Sequence, residues 1–142
     1  MERILLLLII TAVALLGCAT SQRRDYIYFE DLAQKALSGD VSAFREVLTK
    51  AETTSPGEQL EELAEISSKF LLVDPVSFLR TQSAYKDCFG VDFLGPDYVD
   101  NFQAARQEYD RRYDALESVN DPALAVVRDR CISTIDVVVD GS

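Results

Sequence analysis

The chain is 142 residues long, with 24 Asp and Glu against 14 Lys and Arg and a formal charge of −10 at pH 7. That balance excludes the basic patch on which nucleic-acid binding depends, disfavours anionic headgroups and suits a partner with a basic surface. Histidine and tryptophan are both absent, which excludes His-based triads, His metal ligands and His general bases and weakens any reading built on sugar stacking.

The chain opens Met1-Glu2-Arg3 and continues as an almost unbroken apolar run over residues 4–16. The run falls short of the about 20 residues that an α-helix needs to cross a bilayer core. It fits the roughly 7–15-residue apolar region of a signal peptide. Its end, Leu15-Leu16-Gly17-Cys18, resembles the bacterial lipobox, in which a large aliphatic residue and then a small one precede an obligatory cysteine. The resemblance implies cleavage after Gly17, a diacylglyceryl group on the Cys18 thiol and an acyl chain on the new amine. Leu16 departs from the pattern, since that position is more often small or hydroxylated. The alternatives are an ordinary signal peptide with an incidental cysteine, or an uncleaved anchor.

Arg23-Arg24 follow the apolar run rather than precede it, so they are no twin-arginine signal. Residues 1–17 are read as the lipoprotein signal peptide, 18–25 as the lipidated N-terminus and short tether, and 26–142 as an acidic helical domain. Residues 19–24, fully extended, reach only about 20 Å, which holds the domain close to the bilayer. By resemblance to Gram-negative lipoproteins, Ala19 after the lipidated cysteine implies the outer membrane, where an aspartate would imply retention in the inner one. No cofactor is expected beyond the diacylglycerol and N-acyl chain on Cys18. With Cys18 given to lipid, Cys88 and Cys131 remain as an even pair in an exported domain, where oxidising conditions favour a disulfide; two unpaired buried thiols are the alternative.

From there the apolar spacing is helical almost throughout. Phe29, Leu32, Ala33, Ala36 and Leu37 form one stripe that ends at Gly39. Asp40 caps a second helix with Val41, Phe44, Val47, Leu48 and Ala51 inward. Ser55-Pro56-Gly57-Glu58 reads as a capping box with proline in the first helical position, opening a third helix that carries Leu60, Leu63, Ala64, Phe70 and Leu71. Asp74-Pro75 starts a fourth, with Phe78 and Leu79 inward, fading near Cys88. Gly90, Gly95 and Pro96 punctuate the main irregular segment, 89–97. A fifth helix is expected over about 98–116, with Asp97 as its cap and Phe102, Ala105, Tyr109 and Leu116 along one side. Asn120-Asp121-Pro122 starts a sixth, with Leu124, Val127, Cys131 and Ile135 inward. The tail Val137-Val138-Val139 suits a short strand, a last helical turn or a frayed end.

The expected fold is all-α, about six helices as three helical hairpins. The caps at Gly39-Asp40, Asp74-Pro75 and Asp121-Pro122 recur at spacings within the roughly 33–47-residue range of helical-hairpin repeats. The stretch Ala36-Leu37-Ser38-Gly39-Asp40-Val41 resembles the inter-helix turn of HEAT-type repeats. That resemblance implies an open stack; a closed helical bundle is the alternative.

No complete catalytic set is present. Ser83-Ala84-Tyr85-Lys86 matches S-x-x-K, but the K-T-G element and the sheet that give this motif its chemistry are missing. Asp87, Asp92, Asp97 and Asp100 lack the ligand order of a calcium loop. Glu58, Glu61, Glu62 and Glu65 complement the dipole of the third helix. The stretch from Arg106 to Arg112, Glu108 included, reads as an exposed ion-paired face. The candidate partner-binding segment is Phe89, Val91, Phe93 and Leu94, apolar positions beside two glycines and the expected disulfide; the alternative is that they complete the core. The reading is a non-enzymatic protein-binding or adaptor lipoprotein facing the periplasm, with an immunity protein against a secreted toxin as a special case by analogy. A small cell-envelope enzyme using carboxylates or Ser83 and Lys86 ranks behind it.

Overall fold

The structure is a computed structural model that describes residues 26–140. It is all-α there, with six helices and no strand among the described residues. The chain divides into two units, residues 1–31 and residues 32–142. The Cys18 lipobox, the tether and the signal segment lie outside the described residues. Of the first unit, residues 26–31 are helical, and Tyr28 and Phe29 meet edge to face with ring centroids 5.6 Å apart.

Residues 26–37 form α1, from which Leu32 and Ala36 are buried. Its end is set by Gly39, whose φ of +93° no side chain would tolerate easily. There the Gly39 N–H reaches the Ala36 carbonyl at 2.8 Å and the Asp40 N–H the Lys35 carbonyl at 3.1 Å, the paired bonds of a Schellman stop. Asp40 then caps α2, Val41–Ala51, accepting from the Ser42 and Ala43 amides at 2.8 and 3.1 Å. Phe44, Val47 and Leu48 turn inward from α2.

Helix α3, Glu58–Val73, lies at the centre and packs on α2, on α4 (Pro75–Gln82) and on α5 (Phe102–Glu117). Phe44 of α2 stacks on Phe70 of α3 at 4.1 Å and on Phe78 of α4 at 5.6 Å, so three fully buried rings from three helices nucleate one core. Asp74 is the single-residue joint between α3 and α4. Its N–H donates to the Phe70 carbonyl at 3.0 Å, closing α3, while its carboxylate takes the Ser77 amide at 2.9 Å, opening α4. Helix α6, Ala125–Asp140, buries Val127, Cys131 and Ile135 at successive turns and packs on α4 and α5. Beyond sequence neighbours, α2 meets α4, α4 meets α6 and α3 meets α5.

Three expectations about helix ends are corrected. The Ser55 capping box does not form: α3 begins at Glu58 behind Gly57, whose φ is +144°, and no side chain caps it. The extended glycine carries the chain past Ser55 before helical turns begin, and Glu58 and Glu61 in the first turn meet the dipole instead. Helix α5 starts at Phe102, capped by Asn101 through the Ala104 amide at 3.1 Å, because a separate 3-10 turn, Pro96–Tyr98, occupies the expected start and holds Asp97. Phe102 is 83% exposed rather than inward; it lies a full turn and more before Glu108, the first buried residue of α5. Asp121 accepts from the Ala123 amide at 2.9 Å and so caps a 3-10 turn, Pro122–Leu124, rather than α6 itself, which begins at Ala125 and continues through Val137 to Val139.

Candidate functional site

Between α4 and α5 the chain crosses the face of α3 as a loop. Gly90 makes the crossing possible. Its φ is +80°, and a Cβ there would come 2.6 Å from the Ala64 carbonyl oxygen and 2.8 Å from the Ser67 Cβ. A loop pressed this closely onto a helix buries its own amides and carbonyls, which must then find partners.

They find them on three helices, with a fourth tied to the frame by a disulfide. Gln82, the fully buried last residue of α4, donates from Nε2 to the Phe89 carbonyl at 2.9 Å and accepts the Phe89 N–H at 3.3 Å. Ser67 of α3 donates to the same carbonyl at 2.7 Å. From α5, Arg112 Nη1 donates to the Val91 and Phe93 carbonyls at 2.9 and 2.6 Å, and the Tyr109 hydroxyl donates to the Asp92 carbonyl at 2.9 Å. From α6, Arg130 Nη2 donates to the Gln82 carbonyl at 3.0 Å. Cys88 is joined to Cys131 of α6, their Cα atoms 5.2 Å apart.

Arg112 is 2% exposed and Glu108 6%. Arg112 Nε donates to Glu108 Oε1 at 3.0 Å, and Arg111 Nη1 donates to Glu108 Oε2 at 3.1 Å from the solvent side. The expectation of an exposed ion-paired face is therefore corrected at these two positions, although Arg106 and Asp110 do pair in the open. An isolated buried pair gains little, because desolvation offsets the Coulomb attraction. Here Nη1 of the guanidinium donates to two loop carbonyls, so the pair fixes where the loop runs.

The loop borders a groove of about 610 Å³. Leu60 and Ala64 of α3 and Phe89, Phe93 and Leu94 of the loop supply its apolar lining; Glu61, Asp87, Asp92 and Arg130 are its charged groups. Arg130 Nε is buried with no hydrogen-bond partner, alone in this among the described side chains. Along α3, burial and then repulsion from Glu58 and Glu65 raise the Glu62 carboxyl above its ordinary range.

The candidate segment is thus brought to one place, with a division of labour. Phe89, Phe93 and Leu94 are half-buried and line the groove. Val91 is completely buried, so it pegs the loop to the core and offers nothing to a partner. Cys88 lines the groove and is bonded to Cys131 of α6. Sequence reasoning missed Gln82, Ser67, Glu108, Arg112 and Arg130. A signal existed for three of them: Gln82 follows Phe78 and Leu79 at helical spacing, and Glu108, Arg112 and Leu116 step by four along one face of α5.

Other candidates are not assembled. Helix α4 ends at Gln82, so Ser83 and Lys86 do not share a helical face; the Ser83 hydroxyl donates to the Arg80 carbonyl at 2.7 Å. Among the described residues no three Cys, Asp or Glu side chains stand where they could hold a metal ion. No described helix is long and apolar enough to cross a membrane. The chain matches no protein-family model, no curated protein and no solved structure.

Proposed function

We propose that the protein is a lipid-anchored, non-enzymatic binding module of a bacterial envelope, facing the periplasm, whose groove beside residues 87–94 receives a basic segment of a protein partner with an apolar anchor. The observation that carries this reading is the fixing of the groove's loop by hydrogen bonds from α3, α4 and α5 and by a disulfide to α6. A surface held this firmly loses little conformational entropy when it is covered, which is what binding sites gain from preorganisation. Charge supports the choice of occupant: three acids against one arginine line the groove, on a chain of net charge −10.

The anchor rests on Leu15-Leu16-Gly17-Cys18, and the outer-membrane placement on Ala19. The contacts of α2 with α4, α4 with α6 and α3 with α5 support stacked hairpins of the HEAT type over a closed bundle.

A photo-crosslinking amino acid in place of Phe93, in cells carrying the full chain, tests the site. The expected result is one discrete adduct whose linked peptide carries Lys or Arg beside an apolar residue. A D87K/D92K pair abolishes the adduct while leaving thermal stability unchanged. The same probe at Val126, exposed and outside the groove's lining, gives no such adduct. Equal labelling from both positions, or indifference to the charge reversal, overturns the groove as the binding site.

A further inference from the structure

Most of the cations among the described residues are occupied. Lys69, Arg106, Arg111, Arg112 and Arg128 each pair with a carboxylate, Arg130 donates to a carbonyl, and Lys35 and Lys50 are engaged. Arg45 and Arg80 are different. Both are exposed, and neither guanidinium donates a hydrogen bond or forms an ion pair among the described residues.

The two line one cleft of about 290 Å³ between α2 and α4, together with Ser77, Thr81 and Tyr85. No acid lines it. The nearest evident carboxylate influence is that of Asp74, which feels Arg80 but is already committed to the α4 cap through Ser77. The Tyr85 hydroxyl has only a long 3.5 Å contact with Thr49 Oγ1, which leaves it able to donate elsewhere. Lys86, also exposed and unpaired among the described residues, follows it in the chain.

Two like charges at one cleft repel each other, and a chain with 24 acids had ample means to neutralise them from within. Guanidinium is also the group whose planar fork matches a phosphate's oxygens in pairs. We propose that this cleft is a binding site for a phosphate-type oxyanion, held by the Arg45 and Arg80 guanidiniums with the Tyr85 hydroxyl as a third donor. The net negative charge of the molecule does not forbid it, because exposed charges beyond about 8–10 Å are largely screened at physiological salt. The site is independent of the groove beside residues 87–94. Its chemistry suits a soluble phosphate ester and a phospholipid headgroup alike.

The test is a ¹H–¹⁵N titration of the full chain in maltoside micelles, at ionic strength held constant with NaCl. The probes are inorganic phosphate and then a short-chain phosphatidylglycerol. Saturable shifts confined to the amides of Ser77, Thr81, Ala84 and Tyr85 are expected. R45Q and R80Q each weaken binding on the order of tenfold, as the loss of a charge-assisted hydrogen bond would. Both residues are exposed, so melting temperatures should hold; R45K and R80K, which keep charge and lose the fork, are read alongside. Saturation by both probes marks the oxyanion itself as the ligand, and saturation by the lipid alone marks the headgroup. Linear shifts that NaCl reproduces, or affinity unchanged in the glutamine variants, overturn the proposal.

Discussion

Glu108 and Arg112 occupy positions on α5 where a helix facing a core ordinarily carries leucine. The difference between them and the exposed pair Arg106–Asp110, two residues earlier and so on the opposite face, is burial. An exposed pair contributes about 0–1 kcal/mol because water competes for both ions. Removing one member of a buried pair leaves the other stranded, at a cost of about 3–5 kcal/mol. Glu108→Gln should therefore lower the urea unfolding free energy by about that amount, and Arg106→Ala by about 1 kcal/mol or less. Comparable losses in the two variants would mean that Arg112 has access to water or another acid.

At the scale of elements, legibility followed the reach of the interaction. Gly39-Asp40 and Asp74-Pro75 are read correctly because their hydrogen bonds span only a few residues, whereas the starts of α3, α5 and α6 shift because Gly57 and two 3-10 turns intervene. The apolar stripes of α2 and α4 are read for the same reason. The clamp on the loop was not legible, since Gln82, Ser67, Arg112 and Tyr109 act on carbonyls 7 to 22 residues away. Glu108 reads as solvated because a charged residue is rarely buried unless it is paired, and what buries this i,i+4 pair is the loop crossing onto Arg112. The groove was only half legible: its apolar residues stood out, while the helices that complete it did not.

The Asp74 joint gives that scale a pH dependence. Hydrogen bonds from the Ser77 hydroxyl and amide, and then the charge of Arg80, hold its carboxyl below the ordinary range. A carboxylate so favoured in the folded state adds stability above its unfolded pKa of about 3.9, and that contribution is lost as pH falls through the lower folded value. Asp74→Asn keeps a capping oxygen but does not titrate, so its stability difference from the native chain should be constant near neutral pH and shrink below about pH 4. Denaturant melts at pH 7, 5 and 3 read this directly. A difference that grows on acidification would reverse the assigned sign.

For the whole molecule, the bond between Cys88 and Cys131 closes 43 residues of chain. Loop-closure entropy of that length is worth roughly 4 kcal/mol. The C88S/C131S double variant should lose about that much, with its helical circular dichroism intact at low temperature. A native mass spectrum showing two free thiols would remove the basis for the expectation. The anchor proposed above rests on the other end of the chain: if Cys18 carries it, Cys18→Ser should abolish incorporation of labelled palmitate and leave the chain uncut after Gly17. Continued labelling would direct the search for an anchor elsewhere.

That same sulfur bond has a topological consequence. It makes residues 88–131 a covalent ring that includes all of α5 and the first half of α6. A protease that nicks the exposed stretch around Val99 and Asp100 opens the ring without separating its ends. The cut protein keeps its mass apart from one added water, and the two fragments part only when a reductant is supplied. Damage to this segment would thus be silent on a non-reducing gel, and a partner seated beside Cys88 would still be held by both pieces.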